Sequence, residues 1–333
     1  MTHAQEHVLV TGGAGYIGSH VVMALMDAGY KIVVVDDLST GHSALIPTGV
    51  PRVIGNAGDK DLITRVIQDY AVMSVMHFAG SIVIEESIEN PMKYYINNTE
   101  TSRRLIEYCQ INGVNNFVFS SSAAVYGDPA EVPVTEDTVL KPINPYGMSK
   151  LMTEHMLMDI AAAGDLRFAI LRYFNVAGAD LGRRSGQVGL DATHLIRIAV
   201  EAAIGIRAEV PIYGDDYNTA DGTCVRDFIH VSDLANAHVL ALERLMCKRD
   251  NMILNCGYGR GYSVKQVLEA VERVANIALN IKVEARRDGD AAQLVASADR
   301  IRAVLKWRPE IDNIDTIVGS ALGWEKQRVL MDL

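Results

Sequence analysis

Short runs of β-branched and aliphatic residues alternate with amphipathic stretches through the first half of the chain. Val8–Thr11, Lys31–Asp36, Val72–Ala79, Asn116–Ser121 and Phe168–Phe174 read as buried strands, being continuous apolar runs rather than half-exposed alternations. Between them, stretches near Gly15–Ala28, Lys60–Tyr70, Pro91–Asn112 and Pro145–Ala163 read as amphipathic helices. This succession predicts βαβ units, hence an α/β fold with a doubly wound parallel sheet covered on both faces. After Asn175 the alternation fades into loops, with helices expected near His194–Ile204 and Ser263–Ala275. The expected division is a first domain over residues 1–175 and a smaller C-terminal substrate-binding region over 176–333. Residues 226–250 are expected to pack back on the first domain. No repeat, low-complexity stretch or flexible linker separates the two parts, so a ligand cleft where they meet is the natural expectation.

Composition excludes several classes of function. A chain of 333 residues with 49% hydrophobic content buries a substantial core. Its net charge of −10 argues against a partner made of nucleic acid or anionic membrane. Cys109, Cys224, Cys247 and Cys256 are scattered without a C-x-x-C pair, and the nine histidines form no HExxH or Cys/His cluster. Free thiols in a reducing compartment, and no metal, are therefore expected. The start, Met1–His7, is polar and lacks a signal-peptide core. No apolar run approaches the roughly 20 residues that span a bilayer. A cytoplasmic protein is expected.

The chemistry begins where the first strand ends. Thr11-Gly12-Gly13-Ala14-Gly15-Tyr16-Ile17-Gly18-Ser19-His20 contains G-x-x-G-x-x-G. Glycine permits positive φ and lets a pyrophosphate approach the backbone. The helix that follows offers that anion its free N–H groups and positive dipole end. Asp36, with Asp37 beside it, ends the next strand about 20 residues on, where a carboxylate binds the adenosine ribose hydroxyls. Two negative charges there would repel a 2′-phosphate, so NAD is expected rather than NADP. A glycine-rich turn alone is weak evidence, but strand, turn, helix and acid together read as a Rossmann-type domain.

Asn144-Pro145-Tyr146-Gly147-Met148-Ser149-Lys150 reads as a helix start, with Asn144 as N-cap and Pro145 in the first turn. Tyr146 and Lys150 then share a helix face. An unperturbed tyrosine is only about 0.1% ionised at neutral pH, and bringing its pKa near 7 takes roughly 4 kcal/mol of interaction with the phenolate. A nearby ammonium and an oxidised nicotinamide could together supply it. The spacing recurs by chance, and an isolated match is ordinarily a solvated surface pair. This match has company: Ser120-Ser121-Ser122 ends an upstream strand and brings a hydroxyl towards the same place.

Glycine turn, serine strand end and Tyr-x-x-x-Lys stand in the order of the extended short-chain dehydrogenase/reductase superfamily, which the chain resembles. Thr11–His20, His77-Phe78-Ala79-Gly80, Tyr94–Asn98, Ser120–Gly127, Asn144–Glu154, Leu171–Ala179 and Gly222–Val231 resemble the motifs of the UDP-glucose 4-epimerase family over almost the whole chain. The resemblance implies a catalytic set of Ser122, Tyr146 and Lys150. It implies that NAD is held by Gly12, Gly15, Tyr16, Ile17, Gly18, Asp36, Asp37, Leu38, Ser39, Asp59, Lys60, Phe78, Ala79, Gly80, Asn97, Phe174 and the same three catalytic residues. For a UDP-sugar substrate it implies Arg226 and Arg287 at the diphosphate and Asn175 at a phosphate. It places His194, Leu195, Val210, Tyr213 and Asp290 at the uridine, with Ser122 and Tyr146 at the sugar.

The activity implied is epimerisation through a 4-keto sugar. Tyr146, as phenolate, takes the 4-hydroxyl proton while C4 passes hydride to NAD. Lys150 holds the nicotinamide ribose and lowers the tyrosine pKa, and Ser122 bonds the sugar oxygen. The keto sugar turns within the site before hydride returns to its other face, so NAD stays bound. Leu294, seven positions after Arg287, falls where the family guards the sugar C2 substituent. A homodimer paired through Pro91–Asn112 and Pro145–Ala163 is implied as well. Two positions depart from the pattern: Ile82 stands where some members carry a phosphate-contacting lysine, and Met148 replaces a lysine beside the catalytic pair.

Three rival readings remain. A nucleotide-sugar 4,6-dehydratase needs an Asp-Glu pair after the strand-end hydroxyl, whereas Ala123 and Ala124 stand there. A net dehydrogenase explains fewer of the motifs. A catalytically silent NAD-sensing protein has no use for serine, tyrosine and lysine together.

Overall fold

The glycine turn owes its position to a reversal of strand order. The computed structural model describes residues 7–189, 193–287 and 289–331, so residues 1–6 of the polar start lie outside the described residues. Six strands, β1 (His7–Thr11), β2 (Lys31–Asp36), β3 (Arg52–Ile54), β4 (Val72–His77), β5 (Asn116–Ser122) and β6 (Arg167–Tyr173), join strand Met252–Cys256 in one sheet. From one edge to the other the order is Met252–Cys256, β6, β5, β4, β1, β2, β3. β1 pairs in parallel with both β2 and β4, β2 with β3, and β4 with β5. The chain thus winds outward from β1 to β3 and then restarts on the other side of β1. Loops leaving the carboxyl ends of β1 and β4 diverge at that switch, where α/β sheets bind their ligands.

The doubly wound α/β sheet expected from the apolar runs is present. Leu9, Val33, Val75, Phe117 and Ile170 form one core with Ile63 and Val66 of helix Lys60–Asp69, Leu105 and Cys109 of helix Thr101–Ile111, and Leu157. Burial on both faces is why the strands carry few polar residues. The chain divides into two compact units. The first comprises Met1–Val125, Pro142–Arg172 and Ala235–Leu254, and the second Tyr126–Lys141, Tyr173–Leu234 and Asn255–Leu333.

One element departs from its sequence pattern in a way that bears on the site. Pro91–Asn112 reads as a single helix, but the structure has helix Pro91–Tyr94, a π-helical turn over Tyr95–Glu100, then helix Thr101–Ile111. In the wide turn the Thr101 N–H reaches back five residues to the Ile96 carbonyl. The extra residue shifts the helical phase by about 100° and turns Asn98 inward.

In the second unit, Val225–His230 is the central strand of a small sheet. It pairs in parallel with Asn175–Ala177 and Gln293–Leu294, and antiparallel with Gly261–Ser263. Val210–Tyr213 pairs separately with Ile281–Glu284. Helices Leu195–Ala203, Val264–Ala275 and Ile314–Met331 pack on one another. Among the described residues no helix is long and apolar enough to cross a membrane.

Candidate active site

Close approach of backbone to backbone requires glycine at positions 12 and 18 after β1. Gly12 has φ +73°, and a Cβ there would lie 2.6 Å from the Ala79 nitrogen just beyond β4. A Cβ on Gly18 would lie 2.1 Å from the Gly12 carbonyl oxygen. Gly15 differs, because its Cβ would meet only that same oxygen, at 3.3 Å, and otherwise open space. Helix Tyr16–Asp27 starts there without a side-chain cap and without an acid in its first turn. An uncapped helix start beside a side-chain-free cradle fits a pyrophosphate.

Asp36 ends β2 next to this cradle. Its two carboxylate oxygens accept the Ala14 and Leu38 N–H groups, each at 2.8 Å. Burial pushes its pKa up, and those two donors oppose the shift. Leu38 adopts a left-handed conformation, φ 59°, that bends the chain back towards Asp36. Asp37 is turned to the surface, where it accepts from the Ser39 N–H at 3.0 Å and the Ser39 hydroxyl at 2.6 Å. Asp59 and Lys60 sit past the edge strand β3. There Asp59 caps helix Lys60–Asp69, accepting from the N–H groups of Asp61 and Leu62. Phe78, Ala79 and Gly80 leave the sheet after β4, and the Phe78 N–H still bonds the Thr11 carbonyl at 2.9 Å. Asn97 donates to the Ser81 hydroxyl at 2.9 Å.

The Tyr146 helix is placed by its first turn. Asn144 caps Pro145–Ala163 by accepting the Gly147 N–H at 2.8 Å, and Pro145 opens the helix. A Cβ on Gly147 would lie 2.5 Å from the Ala124 carbonyl oxygen, so only glycine lets the helix sit this close to the turn after β5. On that helix Tyr146 stands near Ser122, whose hydroxyl works to lower the tyrosine pKa. Lys150, one turn further on, is buried and donates to the Ser120 carbonyl at 2.9 Å. Its ammonium lies 6.0 Å from the Tyr146 ring centre.

The electrostatics qualify one expectation. Burial pushes the Lys150 pKa down to about 8, leaving roughly nine in ten of these side chains charged at pH 7. Burial pushes Tyr146 up, and the nearby Ser122 side chain only partly offsets it. The expected lowering of the tyrosine pKa by Lys150 is therefore not supplied by the protein groups alone. A cationic nicotinamide is the second source of positive charge that the chemistry calls for.

The second unit holds the remaining candidates, several of them on the strand Val225–His230 or its partners. Arg226, on Val225–His230, lies 3.4 Å from the Asp290 carboxylate, and Leu294 pairs in register with it. The Arg287 guanidinium stacks on Tyr213, 3.6 Å from the ring centre, and Val210 opens the same short strand as Tyr213. Asn175 pairs with Phe228, two residues beyond Arg226. Asn175, His194 and Leu195 line a cavity of about 30 Å³ together with Gln187, Phe228 and Trp324. Gln187 donates to the His194 imidazole at 2.7 Å, and its carbonyl accepts the Trp324 indole N–H at 2.9 Å. Phe174 also falls in this unit, buried, with its N–H on the Cys256 carbonyl.

Residues 8–257 match the pattern of the NAD dependent epimerase/dehydratase family. The chain belongs to that family. The UDP-glucose 4-epimerase of Azospirillum brasilense is 55% identical over 325 residues, covering 98% of this chain and 93% of the relative. The crystal structure of the Brucella ovis UDP-glucose 4-epimerase in complex with NAD has a TM-score of 0.92 at 42% identity, covering 96% of this chain and 98% of its own. The UDP-Glc/GlcNAc 4-epimerase of Campylobacter jejuni has a TM-score of 0.84 at 42% identity, covering 97% of this chain and 99% of its own. The resemblance carried by the motifs thus extends across sequence and fold.

Several supporting residues of this NAD dependent epimerase/dehydratase family member escape a reading of the sequence alone. Gly147 looks like any early-helix glycine until the Ala124 carbonyl is placed beside it. Tyr94 is fully buried, and its ring meets Tyr146 edge-on at 6.3 Å. Ser121, next to Ser122, donates to Glu154, which holds Arg172 through two bonds of 3.0 and 2.7 Å.

Proposed function

We propose that the chain interconverts UDP-galactose and UDP-glucose through a 4-keto sugar, with Tyr146 as the base. The observation that carries this reading is the meeting of Ser122, Tyr146 and Lys150 at the end of β5. NAD bound there would supply the hydride acceptor and donor for sugar C4. Tyr146 takes the 4-hydroxyl proton, and Ser122 holds the same oxygen while sharing that proton with Tyr146. Lys150, mostly protonated, would hold the nicotinamide ribose. Gly12, Gly15 and the start of helix Tyr16–Asp27 would receive the cofactor's pyrophosphate, and Asp36 its adenosine ribose. Arg226 and Arg287 grip the substrate diphosphate, with Asp290 and Tyr213 holding them in place. Ala123 and Ala124 follow Ser122 in a 3-10 turn. They supply no acid for eliminating water, which favours epimerase over dehydratase.

Substrate breadth depends on Leu294 in this reading. Leucine is smaller than the tyrosine that restricts some members and larger than serine or cysteine. Its backbone register beside Arg226 supports a position near the sugar. A side chain that overpacks a site costs about 1–3 kcal/mol, enough to change relative efficiency roughly ten- to a hundredfold. Wild-type protein, incubated without added NAD, is expected to convert UDP-galactose to UDP-glucose rapidly and UDP-N-acetylglucosamine slowly. Leu294→Tyr is expected to abolish the slow activity and leave the fast one within a few-fold. Equal losses on both pairs, or no change on either, would remove Leu294 as the gate.

The reading includes a cytoplasmic homodimer. Met92, Ile96 and Met152 expose apolar surface on the stretches expected to pair, and Thr99 joins those stretches by donating to the Ser149 carbonyl at 3.4 Å. Sedimentation at micromolar concentration is expected to give the mass of two chains. A single-chain mass would count against it.

A further inference from the structure

We propose that Asp227 is a specificity-determining residue that acts through Leu294, fixing where that side chain stands beside Arg226. The inference rests on the reading of Arg226 as a diphosphate ligand and of Leu294 as the guard of the sugar C2 substituent. Side chains alternate along a strand, so Arg226 and Asp227 point to opposite faces of Val225–His230. Leu294 pairs in register with Arg226 and shares its face. Asp227 lies behind them, fully buried.

The Asp227 carboxylate is spent on the main chain of two neighbouring segments. Its Oδ1 accepts the Tyr258 N–H at 2.9 Å, and its Oδ2 accepts the Gly259 N–H at 2.9 Å and the Ala296 N–H at 3.2 Å. Tyr258 and Gly259 lead into strand Gly261–Ser263, whereas Ala296 stands two residues past Leu294. One side chain therefore ties together the segments on both sides of the strand that carries Arg226. A Cβ on Gly257 would lie 2.7 Å from Oδ2 and 2.8 Å from the Ala296 Cβ, so the junction has no spare room.

Main-chain pairing gives Leu294 little support. Its strand is two residues long, and the Val225 N–H meets the Ala292 carbonyl just before it, at 2.9 Å. Past Leu294 the chain changes partner: the Val295 carbonyl accepts the Val134 N–H at 2.8 Å, and the Ser297 N–H donates to the Val134 carbonyl at 2.7 Å. Between these two bonds the Ala296 N–H turns to Asp227. That bond is what joins the segment after Leu294 to the Arg226 strand. A buried carboxylate is costly, and an apolar side chain would fill the same space without that cost. Only a group with two acceptor oxygens can meet three N–H groups from two segments.

Asp227→Asn exchanges one acceptor oxygen for a donor at unchanged size. Gly257→Ala keeps the charge and presses the Asp227 carboxylate and Ala296 apart, and it decides the matter if Asp227→Asn does not fold. Each is assayed for kcat/KM on UDP-galactose and on UDP-N-acetylglucosamine. The preference for UDP-galactose should fall roughly tenfold in Asp227→Asn and about threefold in Gly257→Ala, the scale on which one pocket contact discriminates between substrates. Meanwhile kcat at saturating UDP-galactose should stay within a few-fold, with bound NAD unchanged. Leu294→Ala should lower the preference by itself. Adding either variant to it should then change the preference by less than about twofold, because the side chain acted upon is gone. Full additivity in this cycle, or lowered melting temperatures at wild-type preference, would reduce Asp227 to a structural role and overturn the proposal. Wild-type preference in Leu294→Ala would instead defeat the reading of Leu294 as the guard and take the proposal with it.

Discussion

Replacing Tyr146 by phenylalanine is expected to cut turnover of UDP-galactose by at least about a hundredfold, the usual scale of general acid–base help. The change removes one oxygen, and the ring keeps its edge-on contact with Tyr94. The cap of Asn144 on Gly147 and the approach of Gly147 to Ala124 are made by other groups. Fold and bound NAD should therefore persist. Ser122 remains, but an unassisted serine hydroxyl is a poor base at neutral pH. Lys150 remains too, though it is mostly charged and turned towards the Ser120 carbonyl. Turnover near the wild-type value would remove Tyr146 from its role.

The second large effect is on stability. Glu154 and Arg172 face each other with 0% and 2% of their side chains exposed, joined by two hydrogen bonds. Arg172→Met would strand the Glu154 carboxylate in the interior. Breaking a buried pair by removing one partner costs about 3–5 kcal/mol, most of it the uncompensated charge. Urea unfolding should register a loss of that size. Combining Arg172→Met with Glu154→Gln should recover part of it, because the stranded charge is gone. A loss under about 1 kcal/mol for the single variant would show that the pair is not holding the helix against the sheet. The pair also lies one residue from catalysis on the strand side, since Ser121 donates to Glu154 and Ser122 follows it.

Much of this was legible in the sequence because the decisive elements are local. β1, β2 and β5 are apolar runs bounded by special residues, and the glycine turn, Asp36 and the Asn144 cap are each set by their neighbours within a few positions. What escaped depends on contacts distant along the chain. β3 is three residues long at a sheet edge, with two of them exposed, so it has almost no apolar signature. Tyr126–Lys141 groups with the second unit, an excursion that no periodicity announces. The π-helical turn looks like uninterrupted helix, because its cause is the bonding of Asn98 to Ser81 and Ser149, 17 and 51 positions away. The need for glycine at 147 exists only once the Ala124 carbonyl is beside it. Roles carried by the resemblance alone, such as those of Asp59 and Phe174, have no local physical signal at all.

The central claim is that hydride and proton leave and return within one site, using a cofactor the protein keeps. The most direct test is to incubate purified protein with UDP-galactose, add no NAD, and follow UDP-glucose. The account predicts many turnovers per chain, with about one NAD per chain released when the protein is afterwards denatured. No UDP-glucose, or product formed only in proportion to added NAD, would contradict it.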